Sequence, residues 1–342
     1  MAMNRIPTLG DVAKLAGVSK STVSRVLNDS PKISEVTKRR VLKIAKNLRY
    51  EPNIIARSLS MKKTNTIGVI LEDILNPFFS EVAKGIETAL KRADYWMLLT
   101  SSDFDYESEV KLTRMLIRYR VDGVLITPVR VDSESISMLK ERSIPFFIMN
   151  SSIQNKDISW IESDNLRGAY IATSYLLELG HRRFMCIRDM SVEGGRKRYE
   201  GFRKAIEERG LSISNQIVLG NAHSIIEGYE LLEKFISENG KTALPSAIVA
   251  VNDAVAIGCM ESLFKNGVRV PRDVSIIGYD DINIAALTRV PLTTIYQLKF
   301  RMGEIAATQL IKMVQGQDEE VASQWLIEPE LIIRDSCCRV SE

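Results

Sequence analysis

A regular alternation of short apolar runs with helical stretches, from about residue 67 nearly to the end, is the feature that most constrains the fold. Runs of about five residues are far shorter than the roughly 20 that a membrane span requires, so we expect no membrane segment. Strands that alternate with helices predict parallel, doubly wound α/β sheets. Because the runs form two series, we predict two such lobes. The first series is Ile67–Leu71, Trp96–Thr100, Gly123–Thr127 and Phe146–Met149, and the second is Arg183–Ile187, Ala247–Val251 and Val274–Tyr279.

Charge divides the chain at a different place. The 342 residues carry 46 Lys and Arg against 43 Asp and Glu, a net charge of only +3. Residues 1–60 hold 12 of the basic and 4 of the acidic residues, a balance of +8, whereas the remainder holds 34 and 39, a balance of −5. Such asymmetry indicates that the basic part binds a polyanion. Charge alone leaves a solvated basic face equally open.

Local patterns within residues 1–60 predict three short helices. Thr8 and Asp11 have the spacing of a capping box, and Ser19 and Ser34 can cap a second and a third helix. Gly17 can adopt the left-handed conformation of a sharp turn. Two short helices joined by a tight turn that contains glycine form a helix-turn-helix, a DNA-binding arrangement. A small helical bundle with a polar face is the alternative.

The second of these helices exposes short polar side chains and two cations. Arginine binds guanine in the major groove through two hydrogen bonds, and serine and threonine hydroxyls reach phosphates or bases. We therefore predict that this helix, together with the residues that precede the first two helices, contacts DNA. The predicted DNA-binding residues of this region are Thr8, Ser19, Lys20, Ser21, Thr22, Ser24, Arg25 and Asn28.

The segment that carries these residues closely resembles the LacI/GalR family of bacterial transcription regulators. The match covers TLGDVAKLAGVS at 8–19 and STVSRVLN at 21–28, with almost no departures. The resemblance implies that Lys20, Ser21 and Arg25 read operator bases in the major groove. It also implies the fold class: an all-α N-terminal helix-turn-helix domain with a hinge helix, followed by an α/β periplasmic-binding-protein-like core of two doubly wound lobes.

The segment YEPNIIARSL at 50–59 is similar to the hinge helix of the same family. Pro52 blocks continuation of the third helix, and a short helix at about 53–60 is marginal in water by itself. We expect it to order only on DNA and beside a partner subunit. In the family the leucine at position 59 wedges between base pairs from the minor groove and kinks the duplex, and packing against the next domain is the alternative. The DNA contacts implied here are Asn53, Ala56, Arg57 and Leu59.

Polar and aromatic residues follow several of the predicted strands. Ligands of doubly wound sheets bind beyond the carboxyl ends of the strands, where amides, carboxylates and rings suit a polyhydroxylated small molecule. A helix N-cap is the alternative for any one Asn or Asp in this place, and for Asp281 we favour it. The residues predicted to bind an effector in these positions are Asn76, Phe78, Phe79, Asn150, Asn252 and Asp280.

The core also resembles the family's effector domain, at 179–183, 198–202, 252–253, 277–281 and 292–297. The similarity implies that Arg198 and Asp280 clasp the effector and that Asn252 and Gln297 line the cleft. It places the aromatic pair 78–79 on the N-terminal wall. The family's chain crosses between the lobes three times, which implies an N-terminal lobe of about 64–162 plus 292–325 and a C-terminal lobe of about 163–291 plus 326–340. The expected domains are therefore 1–63 and 64–342.

One loop departs from the family pattern. After the strand that ends at Ile187 the family commonly has glycine, whereas this chain has RDMSVEGG at 188–195. The three charged side chains of this loop favour a charged or phosphorylated effector over a neutral sugar. Solvent exposure of the charges is the alternative, and the commoner explanation for charged loops.

The sequence contains no phosphate-binding loop and no nucleophile elbow, so nothing in it supplies the chemistry of an enzyme. His181 and His223 are far apart and lack metal-ligand spacing with the four cysteines, which we expect to be reduced thiols. We therefore expect no metal and no cofactor. Two rivals stay open: a solute-binding protein of transport, which residues 1–60 and the lack of a signal peptide oppose, and an enzyme that acts on sugars or nucleotides.

Together these patterns predict a cytoplasmic, sequence-specific transcription regulator that acts as a repressor. Two heads on a two-fold axis imply a homodimer on a pseudo-palindromic double-stranded operator. A small molecule in the cleft, a sugar, a sugar derivative or a similar compound, is expected to control the affinity. The last predicted strand, near Leu331–Arg334, is followed by no leucine-heptad tail, so we expect a dimer rather than a tetramer.

Overall fold

The computed structural model describes residues 7–27, 30–50, 63–317 and 322–340. The chain divides into two compact units, Met1–Thr64 and Asn65–Glu342. The division falls where the sequence changes from basic helices to alternating strands and helices. Each unit has its own apolar core.

Three helices occupy the described part of the first unit: α1 (Leu9–Ala16), α2 (Lys20–Leu27) and α3 (Glu35–Asn47). The predicted caps are confirmed, since Thr8 and Asp11 form a capping box on α1 and the Ser34 hydroxyl accepts a hydrogen bond from a backbone N–H of α3. Gly17 ends α1 in the left-handed conformation, at φ 63°. The helices share a small core of Val12, Ala13, Ala16, Val23, Val26, Val41 and Ala45.

A six-stranded sheet forms the centre of the first lobe. Its strands are β1 (Thr66–Leu71), β2 (Trp96–Ser101), β3 (Gly123–Ile126), β4 (Phe146–Met149), β5 (Trp160–Ser163) and β11 (Gln324–Ile327). All neighbours are parallel, in the order β11-β5-β4-β3-β1-β2. Helices α4 (Pro77–Arg92) and α11 (Lys299–Val314) pack on one face, and α5 (Tyr106–Tyr119) and α6 (Glu134–Glu141) pack on the other. Helices on both faces explain why the central strands are apolar at nearly every position.

The second lobe repeats this plan with four strands. They are β6 (Phe184–Ile187), β7 (Ile217–Leu219), β8 (Ala247–Ala250) and β9 (Ser275–Ile277), all parallel in the order β7-β6-β8-β9. Helices α7 (Asn165–Glu178) and α8 (Glu193–Glu208) cover one face, and α9 (Ile225–Asn239) and α10 (Asp253–Lys265) cover the other. Two doubly wound parallel sheets confirm the predicted fold class.

The chain passes between the lobes three times, between β5 and α7, after β10 (Thr294–Tyr296), and between β11 and β12 (Glu330–Ile332). Strand β10 pairs with β12 and bridges to Ile277 and Asp280 of the second lobe. The chain therefore re-enters the first lobe after β10, a few residues later than the predicted position of about 292. The reason is that backbone hydrogen bonds tie this short strand to the sheet of the second lobe.

Two further features of the described segments bear on the class of protein. None of their helices combines the length and the apolar character needed to cross a membrane. All four cysteines are free thiols, and two of them, Cys186 and Cys259, are buried in the second lobe.

Candidate functional site

Helix α2 presents the predicted DNA-reading residues on its outer surface. Lys20, Ser21 and Arg25 are exposed, whereas Val23 and Val26 face the core. Within the described residues no acidic side chain forms an ion pair with either cation. An exposed helix with free cations has the chemistry that binds phosphates and base edges.

The hydroxyl groups of this region also hold the helix-turn-helix together. Ser19 Oγ accepts a hydrogen bond from the backbone N–H of Thr22 at 3.1 Å and lies 2.7 Å from Ser21 Oγ. Thr8 Oγ1 accepts from the N–H of Asp11 at 3.3 Å. Thr22 and Ser24 are half-buried at the edge of the exposed face. The predicted contacts Asn28, Asn53, Ala56, Arg57 and Leu59 lie outside the described residues.

The two lobes enclose a cleft beyond the carboxyl ends of their strands, as expected for doubly wound sheets. We call it the interlobe cleft. Seven of the eight predicted effector residues line it, and Gln297 does not. The first lobe contributes Glu72, Asn76, Phe78, Phe79, Phe104 and Asn150, and the second contributes Asp189, Val192, Gly194, Gly195, Arg198, His223, Val251, Asn252 and Asp280.

Arg198 is held rigidly in the second turn of α8. Its Nε donates to Asn165 Oδ1 at 2.8 Å, and its Nη1 donates to the carbonyl oxygen of Val251 at 2.7 Å. The guanidinium carbon lies 3.8 Å from the centre of the Tyr279 ring, and Nη2 lies 3.4 Å from Asp280 Oδ1. Two hydrogen bonds, a ring and a carboxylate therefore fix the orientation of this cation before any ligand binds.

Asp280 and Gln297 form a unit at the end of β9. Gln297 Nε2 donates to Asp280 Oδ1 at 2.7 Å, and Gln297 is fully buried behind the cleft. The backbone of Asp280 has φ 109°, an unusual conformation that Lys299 supports by donating to its carbonyl oxygen at 2.7 Å. Burial raises the pKa of Asp280, against the attraction of Arg198 and Lys299. Gln297 thus positions Asp280 rather than lining the cleft.

The alternative of a helix cap applies to two of the predicted residues. Asn76 Oδ1 accepts from the N–H of Phe78 at the start of α4, and Asn252 Oδ1 accepts from the N–H of Val255 at the start of α10. Both side chains also line the interlobe cleft, so capping and lining coexist. The favoured cap at Asp281 is wrong, because its carboxylate accepts from Arg334 Nη2 at 2.6 Å instead.

The sequence prediction missed Glu72, Phe104, Asp189 and His223. His223 Nδ1 lies 2.9 Å from Asp189 Oδ2, and the His223 ring stacks on Phe104 of the opposite lobe with centres 4.4 Å apart. Each of these residues follows a strand, β1, β2, β6 or β7. The strand-end rule, applied to every predicted strand, therefore includes Glu72, Phe104 and Asp189 but not His223, because β7 is not among the predicted strands.

Burial and pairing act in opposite directions on the Asp189–His223 pair. Burial alone would raise the pKa of Asp189, but hydrogen bonds from His223 and Ser191 lower it overall. Burial alone would lower the pKa of His223, but the hydrogen bond and the charge of Asp189 raise it overall. At mildly acidic pH the His223 ring is therefore protonated and the Asp189 carboxyl ionised, so the two side chains form an ion pair.

Solvent exposure, the simpler explanation for the charged loop at 188–195, is wrong for Asp189, which is only 3% exposed. The other two charges are half-buried: the Arg188 guanidinium lies 4.9 Å from the centre of the Tyr199 ring, and Glu193 accepts from Arg196. The departure from the family pattern therefore brings one carboxylate into the interlobe cleft.

Known proteins resemble the chain over nearly its whole length. Residues 8–53 match the profile of bacterial regulatory proteins of the lacI family, and residues 173–337 match that of the periplasmic binding protein-like domain. The repressor PurR of Haemophilus influenzae strain PittEE is 37% identical over 333 residues, which cover 96% of this chain and 98% of that protein. The regulator RegA of Clostridium saccharobutylicum is 33% identical over 337 residues, again covering 96% and 98%.

Solved structures show the same likeness. The Lac repressor dimer bound to operator and the anti-inducer ONPF has a TM-score of 0.85 at 25% identity, and the match covers 98% of this chain and all of that one. The transcriptional regulator CelR in complex with cellobiose has a TM-score of 0.72 at 27% identity, with 96% and 99% covered. Both similarities span the helical unit and the two-lobed unit together.

Proposed function

Because the chain belongs to the LacI family of bacterial regulatory proteins, as its N-terminal motif predicted, we propose that it is a transcriptional repressor whose affinity for its operator is controlled by a small-molecule effector. The family consists of DNA-binding transcription regulators and not of enzymes. One observation carries the proposal: a helix-turn-helix whose exposed Lys20 and Arg25 have no acidic partner among the described residues, and a ligand cleft with a fixed Arg198, occur in the same chain. Its site of action is the cytoplasm, where bacterial operator DNA lies.

We propose that two copies bind one operator. A two-fold dimer places two α2 helices on two half-sites, which makes the operator pseudo-palindromic. The similar Lac repressor is a dimer on its operator, which supports this assignment. In this proposal Thr8, Ser19, Thr22 and Ser24 contact the backbone, while Lys20, Ser21 and Arg25 reach the bases.

The effector acts by changing the angle between the lobes. Asn150 and the phenylalanine pair belong to one lobe and Arg198 and Asp280 to the other, so a ligand in the interlobe cleft binds both lobes at once. A change of angle alters the spacing of the two hinge segments in the dimer and hence the free energy of operator binding. The bound cellobiose of CelR supports a sugar or a sugar derivative as the effector class.

Removal of Arg25 tests the DNA half of the proposal. The operator is first selected from random duplexes, and the Arg25→Ala affinity is then measured by fluorescence anisotropy. We expect specific binding to weaken by about 1–3 kcal/mol, with preference relaxed at one base position, because one bidentate base contact is lost. Arg39→Ala, which removes an exposed cation from α3, is the matched control. Equal loss on operator and on unrelated DNA would make Arg25 a phosphate contact instead.

Removal of Arg198 tests the effector half. The response is the ratio of operator affinities with and without a ligand that raises the melting temperature of the chain. We expect Arg198→Ala to abolish this response, because no other described cation of the cleft bonds to Asp280 in the same place. Arg196→Ala removes a neighbouring guanidinium of α8 that bonds to Glu193 and should keep the response. A normal response in Arg198→Ala would contradict the proposed cleft.

A further inference from the structure

The ionisable groups that line the interlobe cleft are paired, with one exception. Arg198 pairs with Asp280, and His223 pairs with Asp189. Glu72, which directly follows β1, is the exception: in the described part of the chain no cation lies within ion-pair distance of it. Its carboxyl accepts a single hydrogen bond, from Asn150 Nδ2 to Oε2 at 3.3 Å.

Glu72 is also deeply buried, with only 3% of its surface exposed. Burial raises its pKa to about 8, and the charge of Asp189 adds to the rise, while the hydrogen bond from Asn150 and the charge of Arg198 oppose it. This carboxyl therefore holds a proton at neutral pH, because a buried carboxylate without a cation is costly.

A second acceptor lies beside this carboxyl. Asn150 Oδ1 is buried and, among the described residues, makes no hydrogen bond. Asn150 adopts a left-handed backbone at φ 57°, and its Nδ2 is already bound to Glu72. Buried acceptors without donors are rare in folded proteins, and a ligand supplies the missing donor in many binding sites.

Aromatic rings form much of the wall around these acceptors. Phe78 and Phe79 pack edge to face with centres 5.0 Å apart, and Phe104 reaches across the cleft to His223. Ring faces attract cations, and most strongly where water is excluded. Unpaired acceptors beside aromatic rings are thus complementary to a positively charged nitrogen.

We propose that the effector carries a protonated primary amine, which binds where the Glu72 carboxylate and the Asn150 amide oxygen meet. The inference rests on the proposed function, since it names the ligand class of the same cleft. On binding, Glu72 releases its proton to solvent and the ammonium donates to both acceptors. The rest of the ligand is polyhydroxylated, as in an amino sugar.

The same arrangement disfavours an anionic ligand. Both cations of the cleft are already neutralised by Asp280 and Asp189. A phosphate would therefore meet the carboxylates of Asp189 and Asp280, and among the described residues that line the cleft every cation already has an acidic partner, a like-charge placement that opposes binding. Asp189 is the one charged residue of the loop at 188–195 among the described residues that line the cleft, and its carboxylate thus acts against a phosphorylated effector.

Matched pairs of sugars test the ligand class on the full chain. The pairs are D-glucosamine with D-glucose, D-galactosamine with D-galactose and D-mannosamine with D-mannose, and glucose 6-phosphate is the anionic probe. The rise in melting temperature ranks the sugars by binding. Titration calorimetry near pH 6.5, in two buffers of different ionisation enthalpy, measures the number of protons released on binding. We expect at least one amine to bind about tenfold or more tightly than its neutral partner and to release close to one proton.

Glu72→Gln keeps the shape of the side chain and removes its charge. We expect it to bind the amine at least about tenfold more weakly than the parent and to abolish proton release, because truncating one member of a buried charge pair is costly. The melting temperature of the Glu72→Gln variant without ligand shows whether the variant is folded. Asn150→Gly, which keeps the left-handed backbone and removes the amide, is the second variant and should also weaken the amine. Glu87→Gln, half-buried on α4 and not among the residues that line the cleft, is the matched control.

The outcomes distinguish a failure of the proposed ligand class from a failure of the proposed function. The ligand class is overturned if no amine exceeds its neutral partner, if the phosphate binds best, or if Glu72→Gln binds the amine as tightly as the parent. The proposed function survives that result when a neutral sugar changes operator affinity through Arg198. An amine that binds through Glu72 but leaves operator affinity unchanged supports the ligand class and overturns the proposed control of operator binding.

Discussion

Neighbouring polar residues at the end of a strand take different roles once the chain folds. Asn252 lines the interlobe cleft, whereas the adjacent Asp253 is fully buried and lies outside it. Asp253 Oδ1 accepts from Thr294 Oγ1 at 2.5 Å and Oδ2 accepts from the N–H of Ile282 at 2.9 Å. Burial raises its pKa well above the usual value, together with repulsion from Asp280. Asp253 therefore ties the start of β10 to the segment that follows β9, a role that its residue type alone does not reveal.

The Asp189–His223 pair makes stability depend on pH. The pKa of His223 is raised, so the stability that its charged ring contributes is present below the unfolded pKa of about 6.5. This stability is lost as pH rises through the pKa of His223 in the folded chain. The pKa of Asp189 is lowered, so the stability that its carboxylate contributes is lost as pH falls through the pKa of Asp189 in the folded chain. We expect Asp189→Asn to lower the melting temperature most between about pH 4 and 6.5, with the difference shrinking above that range.

The carboxyl groups of Glu227 and Glu72 also raise the pKa of His223, so a control variant must keep both of them. Glu193→Gln lies in the same loop as Asp189, bonds to Arg196 instead of His223, and keeps both. Its melting temperature should follow that of the parent at every pH. A constant difference between Asp189→Asn and the parent from pH 4 to 9 would show that the charge of the pair contributes nothing.

At the scale of elements, two helices of the first lobe touch backbone to backbone. A Cβ at Gly85 of α4 would lie 2.0 Å from the carbonyl oxygen of Phe300, and one at Gly303 of α11 would lie 2.1 Å from that of Val82. Real Cβ atoms do not approach this closely, so an added methyl group must push the helices apart. The two glycines thus set the distance between α4 and α11.

Gly85→Ala tests this helix contact. We expect it to lower the free energy of unfolding by about 1–3 kcal/mol or more, since the methyl group meets backbone rather than a flexible side chain. The urea midpoint of the full chain is the measurement. Gly220→Ala is the matched control, because a Cβ there has open space within 4 Å and its φ is not positive. Equal midpoints for the two variants would show that the helices separate without cost.

The sequence predicted the helices and the longer strands better than it predicted the short strands. The predicted helix at Arg198–Arg209 begins at Glu193, which places Arg198 one turn further into α8. Strands β5, β7, β10 and β11 were not predicted. Strand β7 has only three half-buried residues, and β5 contains a buried glutamate, so neither has the apolar run that indicates a strand. Pairing with a neighbouring strand, and not local sequence, creates these elements.

For the whole molecule, the separation of charge predicts how salt acts on DNA binding. Residues 1–60 carry a balance of +8 and the remainder −5, so the helical unit supplies the phosphate contacts. The logarithm of affinity should fall linearly with the logarithm of salt concentration, as condensed cations are released from the duplex. Lys20 is exposed at the start of α2, so its charge acts on the phosphates that flank the bases we assign to it, and we expect Lys20→Ala to reduce this slope by about 1.

Lys204→Ala provides the comparison for that slope. Lys204 is an exposed cation of α8 in the second unit and lies 4.0 Å from Glu208. Its removal changes the net charge of the chain by the same amount as Lys20→Ala. Slopes that fall equally in the two variants would show that total charge, rather than the charge of the helical unit, governs binding.

The sequence alone determined the class of the protein, because local patterns suffice for it. Caps, the turn glycine and the basic helix of 8–28 are short-range features, and alternating periodicity specifies doubly wound lobes without knowledge of contacts. Which strand-end residues share the interlobe cleft depended on the tertiary structure. Glu72 and Asp189 are 117 positions apart in the sequence, and folding brings both to one cleft. Burial there, and not residue type, leaves the Glu72 carboxyl without a cation.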